Sequence, residues 1–401
     1  PPRRSRAPKA VAGALVLGGF AAVGILVVSR GEAPTSGPWL KGIGREPVQV
    51  GESFELRGEY VDVGGVLGNL VLAGQDTDDD YYIDEIVAID VMTGEELWHE
   101  DGTSVAVLAD LIYIADGDDV QGYDKDGKKI GDSASAEFGY VSGLRNRFLQ
   151  VSYEGDGYGF DLVDPATMEV FEGVVAYSAN LEWALTLSDW RADEVSFTVV
   201  SLTTGEEAPD EIDAAYYPSM DVLDSGAVVM VDGDRLTLYD RFGVELTDMR
   251  VDEYAEVSAA GDVVHVSGDG EYSLYRLAGD TLVQLGRDEH LGSGEWSYLA
   301  PTSDGARVVV NDDGEVTISR VTDDGAQELF SASGSLASPR SEGLLYVVDD
   351  GDVEGWSTSG GDAPLWKFNG GHNTQVVIGD GWLVTVDANS DGSTNEVTLY
   401  R

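Results

Sequence analysis

The chain contains no cysteine, so disulfides and thiolate metal sites are excluded whatever compartment it occupies. It is also short of cations: 24 Lys and Arg against 74 Asp and Glu give a net charge of −50. Lysine contributes only six of those cations. Such a surface repels nucleic acid, which removes that class of partner, and draws in cations or basic proteins. Only four histidines are present (His99, His265, His290 and His372), and they show no metal-ligand spacing. Hydrolase, nucleotide-binding and zinc-protease signatures are missing, as is helical periodicity beyond residue 48. What remains is a chain with 42% apolar residues, too rich in them for an acidic disordered tail.

The first segment departs from the acidic pattern. Arg3, Arg4, Arg6 and Lys9 precede an uncharged apolar run over 10–29. Twenty helical residues span about 30 Å, the thickness of a bilayer core. The run predicts a transmembrane helix after a basic cytoplasmic segment, 1–9, with everything downstream outside the cytoplasm. A cleaved signal peptide is the alternative. Residues 30–46, rich in Gly, Pro and Ser, read as a linker. Eighteen linker residues, counted to 47, reach at most about 60 Å.

Residues 47–401 predict an extracytoplasmic all-β domain. Apolar strands such as "LIYIAD", "AVVMVD" and "WLVTVD" are each followed by a second strand, a Gly-containing turn and an outer edge. Taking Asp90, Tyr123, Asp161, Ser201, Tyr239, Tyr275, Ser319, Trp356 and Tyr400 as equivalent, the steps run from 33 to 44 residues. That period signals a propeller. The nine marks predict about eight four-stranded blades, with seven to nine compatible. The last unit lacks an outer strand, and the orphan strand "PVQVGESFELRG" (47–58) is expected to supply it and close the ring.

"AIDVMTGEELW" (88–98) resembles the A-x-D-x-x-T-G-x-x-x-W repeat of pyrroloquinoline-quinone-type (PQQ-like) β-propellers, at Ala88, Asp90, Thr93, Gly94 and Trp98. Gly94 suits a turn that needs positive φ, and Trp98 offers a flat ring for packing between blades. The resemblance implies architecture rather than quinone chemistry. The dehydrogenases of that family carry a vicinal disulfide and docking tryptophans in most blades, and this chain has no cysteine and one complete motif. No PQQ is expected.

Two stretches carry oxygen ligands at offsets zero, two, four and eight: Asp76, Asp78, Asp80 and Asp84, then Asp387, Asn389, Asp391 and Asn395. Ligands so spaced converge on one ion when the loop curls tightly, and Ca²⁺ takes 6–8 oxygens. Strands flank both loops and position twelve is Val87 or Thr398, which excludes an EF-hand. The pattern resembles the calcium loops of integrin-type (FG-GAP) propellers, although the first copy has Tyr81 where the second keeps Gly392. Ca²⁺ is therefore the candidate cation, and an elongated acidic hairpin is the alternative. Ring closure predicts that the two loops are neighbours. The functional expectation is a membrane-anchored scaffold or accessory subunit that binds other envelope or membrane proteins. The alternatives are a hydrolase or lyase of envelope polymers, and a sensor of small ligands or cations.

Overall fold

The computed structural model describes residues 41–401 except 59–60, 78–82, 109–110, 118, 136–140, 145–146, 155–156, 164–169, 180–181, 192–193, 202–203, 216–217, 254, 269–270, 289–295, 303, 339–341, 371–373, 380 and 389–393. The apolar run 10–29 lies outside them, and among the described residues no helix is long and apolar enough to cross a membrane.

Among the described residues thirty-five strands form eight antiparallel sheets, seven with four strands and one with seven. The sheets succeed one another around a closed β-propeller. Blades 1, 2 and 4–7 cover 61–101, 104–135, 219–250, 256–288, 296–333 and 335–369. Blade 8 joins Thr374–Gly379, Trp382–Ala388 and Thr394–Tyr400 to Phe54–Arg57.

The apolar character of the strands follows from burial on both sides. Val71, Leu72 and Ala73 in the second strand of blade 1 are fully enclosed, and Ile112, Tyr113 and Ile114 repeat this in blade 2. Such strands read as continuous apolar runs because each blade packs against two neighbours. The core is accordingly a series of layers between blades. Leu72, Ile86, Ile112 and Ile114 fill the layer between blades 1 and 2. Val264, Leu236 and Leu238 fill that between blades 4 and 5.

First strands leave an inner edge without a sheet partner, and side chains of the preceding blade reach some of its donors. Val257 N–H donates to Ser219 Oγ at 2.9 Å, Ala259 N–H to Asp221 Oδ2 at 2.7 Å, and Leu299 N–H to Ser258 Oγ at 3.0 Å. Backbone donors that would otherwise be orphaned are thereby satisfied.

The nine repeat marks and the eight sheets are reconciled in blade 3. Asp161 and Ser201 both belong to its seven-stranded sheet, in strands Gly157–Val163 and Glu194–Ser201. The unit around Ser201 has no first strand of its own. Its second strand, Trp183–Arg191, pairs instead with the outer strand of the unit before, Val170–Ala179. Two repeats thus fuse into one sheet.

Closure follows the expected route. Phe54–Arg57 pairs antiparallel with the last strand, matching Phe54 to Val397 and Arg57 to Thr394. Val48 and Arg401 exchange both backbone bonds at 2.9 and 3.0 Å. Phe54 and Leu56 drop into the layer shared with Val63, Ala73, Val384 and Val397. Packing begins upstream of this strand. Ile43 is buried beside Leu344 and Leu383, its N–H donates to the Tyr346 hydroxyl at 2.7 Å, and its carbonyl accepts from Trp366 Nε1 at 2.7 Å.

This topology gives the ring two distinct faces. Residues 41–48, Arg401 and the third-to-outer turns share one, here the terminal face. The second-to-third connections, both Asp-rich stretches included, occupy the other, the loop face.

Candidate functional site

Asp90, Asp124 and Asp240 open the third-to-outer turns of three blades, and their carboxylates fold back on the chain. Asp90 Oδ1 accepts from Met92 N–H at 2.8 Å. Asp124 Oδ1 accepts from Asp126 and Lys128, and Asp240 Oδ1 from Phe242 and Val244, all within 2.9–3.0 Å. On the loop face Asp313 and Asp350 adopt positive φ (46° each) in two-residue hairpins, a conformation Asp tolerates better than most residues. Asp349 and Asp350 belong to one such turn.

Trp98 lies across to blade 2 as its spacing predicts. Its Nε1 donates to Lys125 O at 3.2 Å, and its ring stacks on Tyr123 with centroids 6.1 Å apart. A Cβ on Gly127 would stand 2.7 Å from the indole, so only glycine permits this approach. Two further tryptophans dock alike without the full motif: Trp183 on Asp224 O at 3.1 Å, and Trp366 on Ile43 O. Trp366 lies in "APLWKF" (363–368), which keeps a fragment of the motif, whereas sequence reasoning missed Trp183, because the signature around it is lost. The glycine beneath Trp183, Gly226, is the surviving signal.

The two Asp-rich stretches meet across the closure, on either side of Gly58. Asn395 Nδ2 donates to Gly58 O at 2.8 Å, and a Cβ on Gly58 would collide with Asp76 O at 2.1 Å. Asp84 accepts from Thr77 through both carboxylate oxygens, from the N–H at 2.9 Å and from the hydroxyl at 2.5 Å. Asp387 Oδ1 accepts from the Thr374 hydroxyl. Asp76 and Asn395 are buried. Asp78, Asp80, Asn389 and Asp391 lie outside the described residues. Among the described residues no group of three or more His, Asp or Glu is arranged to hold a metal.

A cleft of about 600 Å³ follows the same closure on the outer side. Glu52, Ser53, Glu55 and Arg57 form one wall, and Gln75, Glu85, Glu96 and His99 the other. The closing strand has a sheet partner on one side only, so its other edge borders the cleft. Gln75 joins the walls: its Oε1 accepts from Arg57 N–H at 3.2 Å, and its Nε2 donates to Glu85. His99 Nδ1 stands 2.7 Å from Glu96 Oε1, a bond that raises the imidazole pKa with help from Glu85. Four carboxylates around one readily protonated imidazole suit a cationic ligand. Sequence reasoning missed the cleft, because its walls, 52–57 and 75–99, belong to different sheets and face each other only once the closing strand joins blade 8. His265 is its opposite: buried against the Tyr272 ring with Nε2 unpartnered, it has a pKa lowered to about 4 by desolvation. His290 and His372 lie outside the described residues.

No family model and no curated protein matches the chain. Solved structures resemble it at low identity. AztD of Citrobacter koseri is 11% identical, with 76% of this chain and 86% of that one covered and a TM-score of 0.43. A putative 6-phosphogluconolactonase of Bacteroides fragilis is 12% identical over 66% and 94%, at 0.36. Hsv2 of Kluyveromyces lactis is 11% identical over 70% and 98%, at 0.37. At these values no ligand or activity transfers to this chain.

Proposed function

We propose that the protein is an extracytoplasmic scaffold, anchored in the membrane through 10–29, whose propeller binds another envelope or membrane protein. The carrying observation is the acidic cleft along the closure, where Glu52, Glu55, Glu85 and Glu96 flank a strand whose outer edge has no sheet partner and is met at Arg57 by the Gln75 side chain. An extended basic segment of a partner satisfies both features, pairing with the edge and neutralising the carboxylates. The docking of Trp98 on Gly127 supports a PQQ-like ring, used for rigidity and without quinone. The assignment of a binding role rests on the site and not on the fold, which serves many functions.

Affinity capture from detergent-solubilised membranes tests this reading. The wild type should bring down a stoichiometric companion, and a Glu55→Lys/Glu96→Lys variant should lose it. A protein recovered alone that turns over an envelope polymer would replace the scaffold with an enzyme. Protease added to intact spheroplasts should degrade the propeller, and N-terminal sequencing should show 10–29 retained.

A further inference from the structure

The exposed apolar side chains are not scattered. Among the described residues seven large ones are exposed, and all seven lie toward the terminal face. Met92, Phe242 and Val244 sit in third-to-outer turns of blades 1 and 4, and Leu365 immediately before the outer strand of blade 7. Val48 pairs with Arg401. Leu97 and Val283 are the third residues of two outer strands and flank the same turns. Single exposed apolar residues are ordinary, but confinement to one face is not.

Charge does not separate the faces as cleanly, since Arg235 and Arg250 are exposed toward the loop face. The tight hairpins of the loop face expose Asp116, Asp119, Asp312, Asp313, Asp349 and Asp350. The terminal face exposes Lys41, Arg45, Lys125, Lys128 and Arg241, while Asp90, Asp124 and Asp240 spend their oxygens on the chain itself. Asp126, Asp224, Asp262, Asp280, Asp323, Asp324 and Asp362 are also exposed there and outnumber the cations, so the apolar tips, and not the charge of the face, carry any contact.

The tether is shorter than the sequence suggested. Ile43 is pinned between Tyr346 and Trp366, so only residues 30–40 separate the ring from the apolar run 10–29. Eleven residues reach at most about 40 Å. A tether that short places the terminal face at a high effective concentration next to the bilayer, where individually weak contacts suffice. The tips stand on blades 1, 4, 5, 7 and 8, spread around the ring. That distribution fits a flat apolar layer and not one groove-sized ligand.

From these observations we infer that the terminal face rests on the bilayer that holds the protein's own anchor, with the apolar turn tips at the headgroup boundary and the loop face turned away. The inference builds on the membrane-anchored reading above.

Single cysteines placed in this cysteine-free chain provide the test. The full chain, with an environment-sensitive fluorophore at Met92→Cys or Phe242→Cys, is reconstituted into phosphatidylcholine vesicles containing a lipid-borne quencher. Asp119→Cys and Asp312→Cys report on the loop face. Labels at 92 and 242 should lose fluorescence to the quencher, and labels at 119 and 312 should not. Vesicles that float the protein while all four labels stay bright overturn the docking and leave the anchor standing. Protein that does not float with vesicles overturns the anchor and the docking together. Shielding at 92 and 242 that grows with protein density instead of quencher content makes the face a contact between copies, which also overturns the inference.

Discussion

Blades 6 and 8 have the same four-stranded plan and are assembled differently. In blade 6 every strand pairs with its neighbour in sequence, from Trp296–Thr302 to Gly325–Ser333, through hairpins of a few residues. Blade 8 takes its outer strand from Phe54–Arg57, more than 330 residues from its partner Thr394–Tyr400. The aromatic docking differs accordingly. Phe330 of blade 6 stacks on Trp356 of the next blade at 4.2 Å, a contact between consecutive units. Trp366, at the matching place in blade 7, is buried and bonds Ile43 from the far end of the chain. Local hairpins let ordinary blades form by themselves, whereas the closure concentrates long-range contacts in a few residues.

The largest expected effect is at that closure. Trp366→Ala removes a buried indole and its bond to Ile43, and should cost about 3–5 kcal/mol in urea unfolding. Trp98→Ala, at an ordinary junction with a half-buried ring, should cost about 2 kcal/mol. Equal losses from the two substitutions would erase the distinction between closure and ordinary junction.

Acid sharpens the comparison from the other side. His265 lies in the layer between blades 5 and 6, facing Tyr272, far from the closure. Its folded pKa of about 4 is below the ordinary 6.5, so the folded state favours the neutral ring. Its contribution is complete above pH 6.5 and is lost as pH falls toward 4, by about 3 kcal/mol in all. His265→Gln should flatten stability across that window, and hydrogen exchange at pH 4 should accelerate first in blades 5 and 6. Faster exchange in blade 8 instead would place the acid-sensitive joint at the closure.

The smallest effect concerns the Asp-rich stretches. If the spacing assembles Ca²⁺ sites with dissociation constants near 1 mM, 10 mM Ca²⁺ adds about 1.4 kcal/mol per occupied loop. Thermal unfolding at constant ionic strength, in Ca²⁺ against Mg²⁺, reads this, and Asp76→Ala and Asp387→Ala assign it. Equal protection by Mg²⁺ would leave two acidic hairpins that brace the closure through Gly58.

The ring, its closure by 47–58 and the reach of Trp98 were all legible in the sequence, because each rests on a local pattern: an apolar run, a turn glycine, an unpaired strand. The fusion in blade 3 was not. Val170–Ala179 reads as one more outer strand, and only its second partner, Trp183–Arg191, shows that it also replaces a missing first strand. Ile43 was hidden in a Gly- and Pro-containing stretch that reads as linker, since its partners Tyr346 and Trp366 lie 303 and 323 residues away. The acidic cleft was hidden for another reason: Glu55 and Glu96 are near in sequence but are ordinary strand residues until closure puts their strands in different sheets on facing walls.

The borrowed strand also sets a timetable for synthesis. Phe54 and Leu56 leave the ribosome among the first residues of the ring, and their partners among the last. At about 5–20 residues per second the interval is roughly 20–70 s. Throughout it the apolar flank of blade 1, with Val63 and Val71, has no neighbour to cover it. A nascent chain stopped after Asn369 would keep that flank open indefinitely, so chaperone binding and proteolysis should fall sharply once residues 394–400 are made.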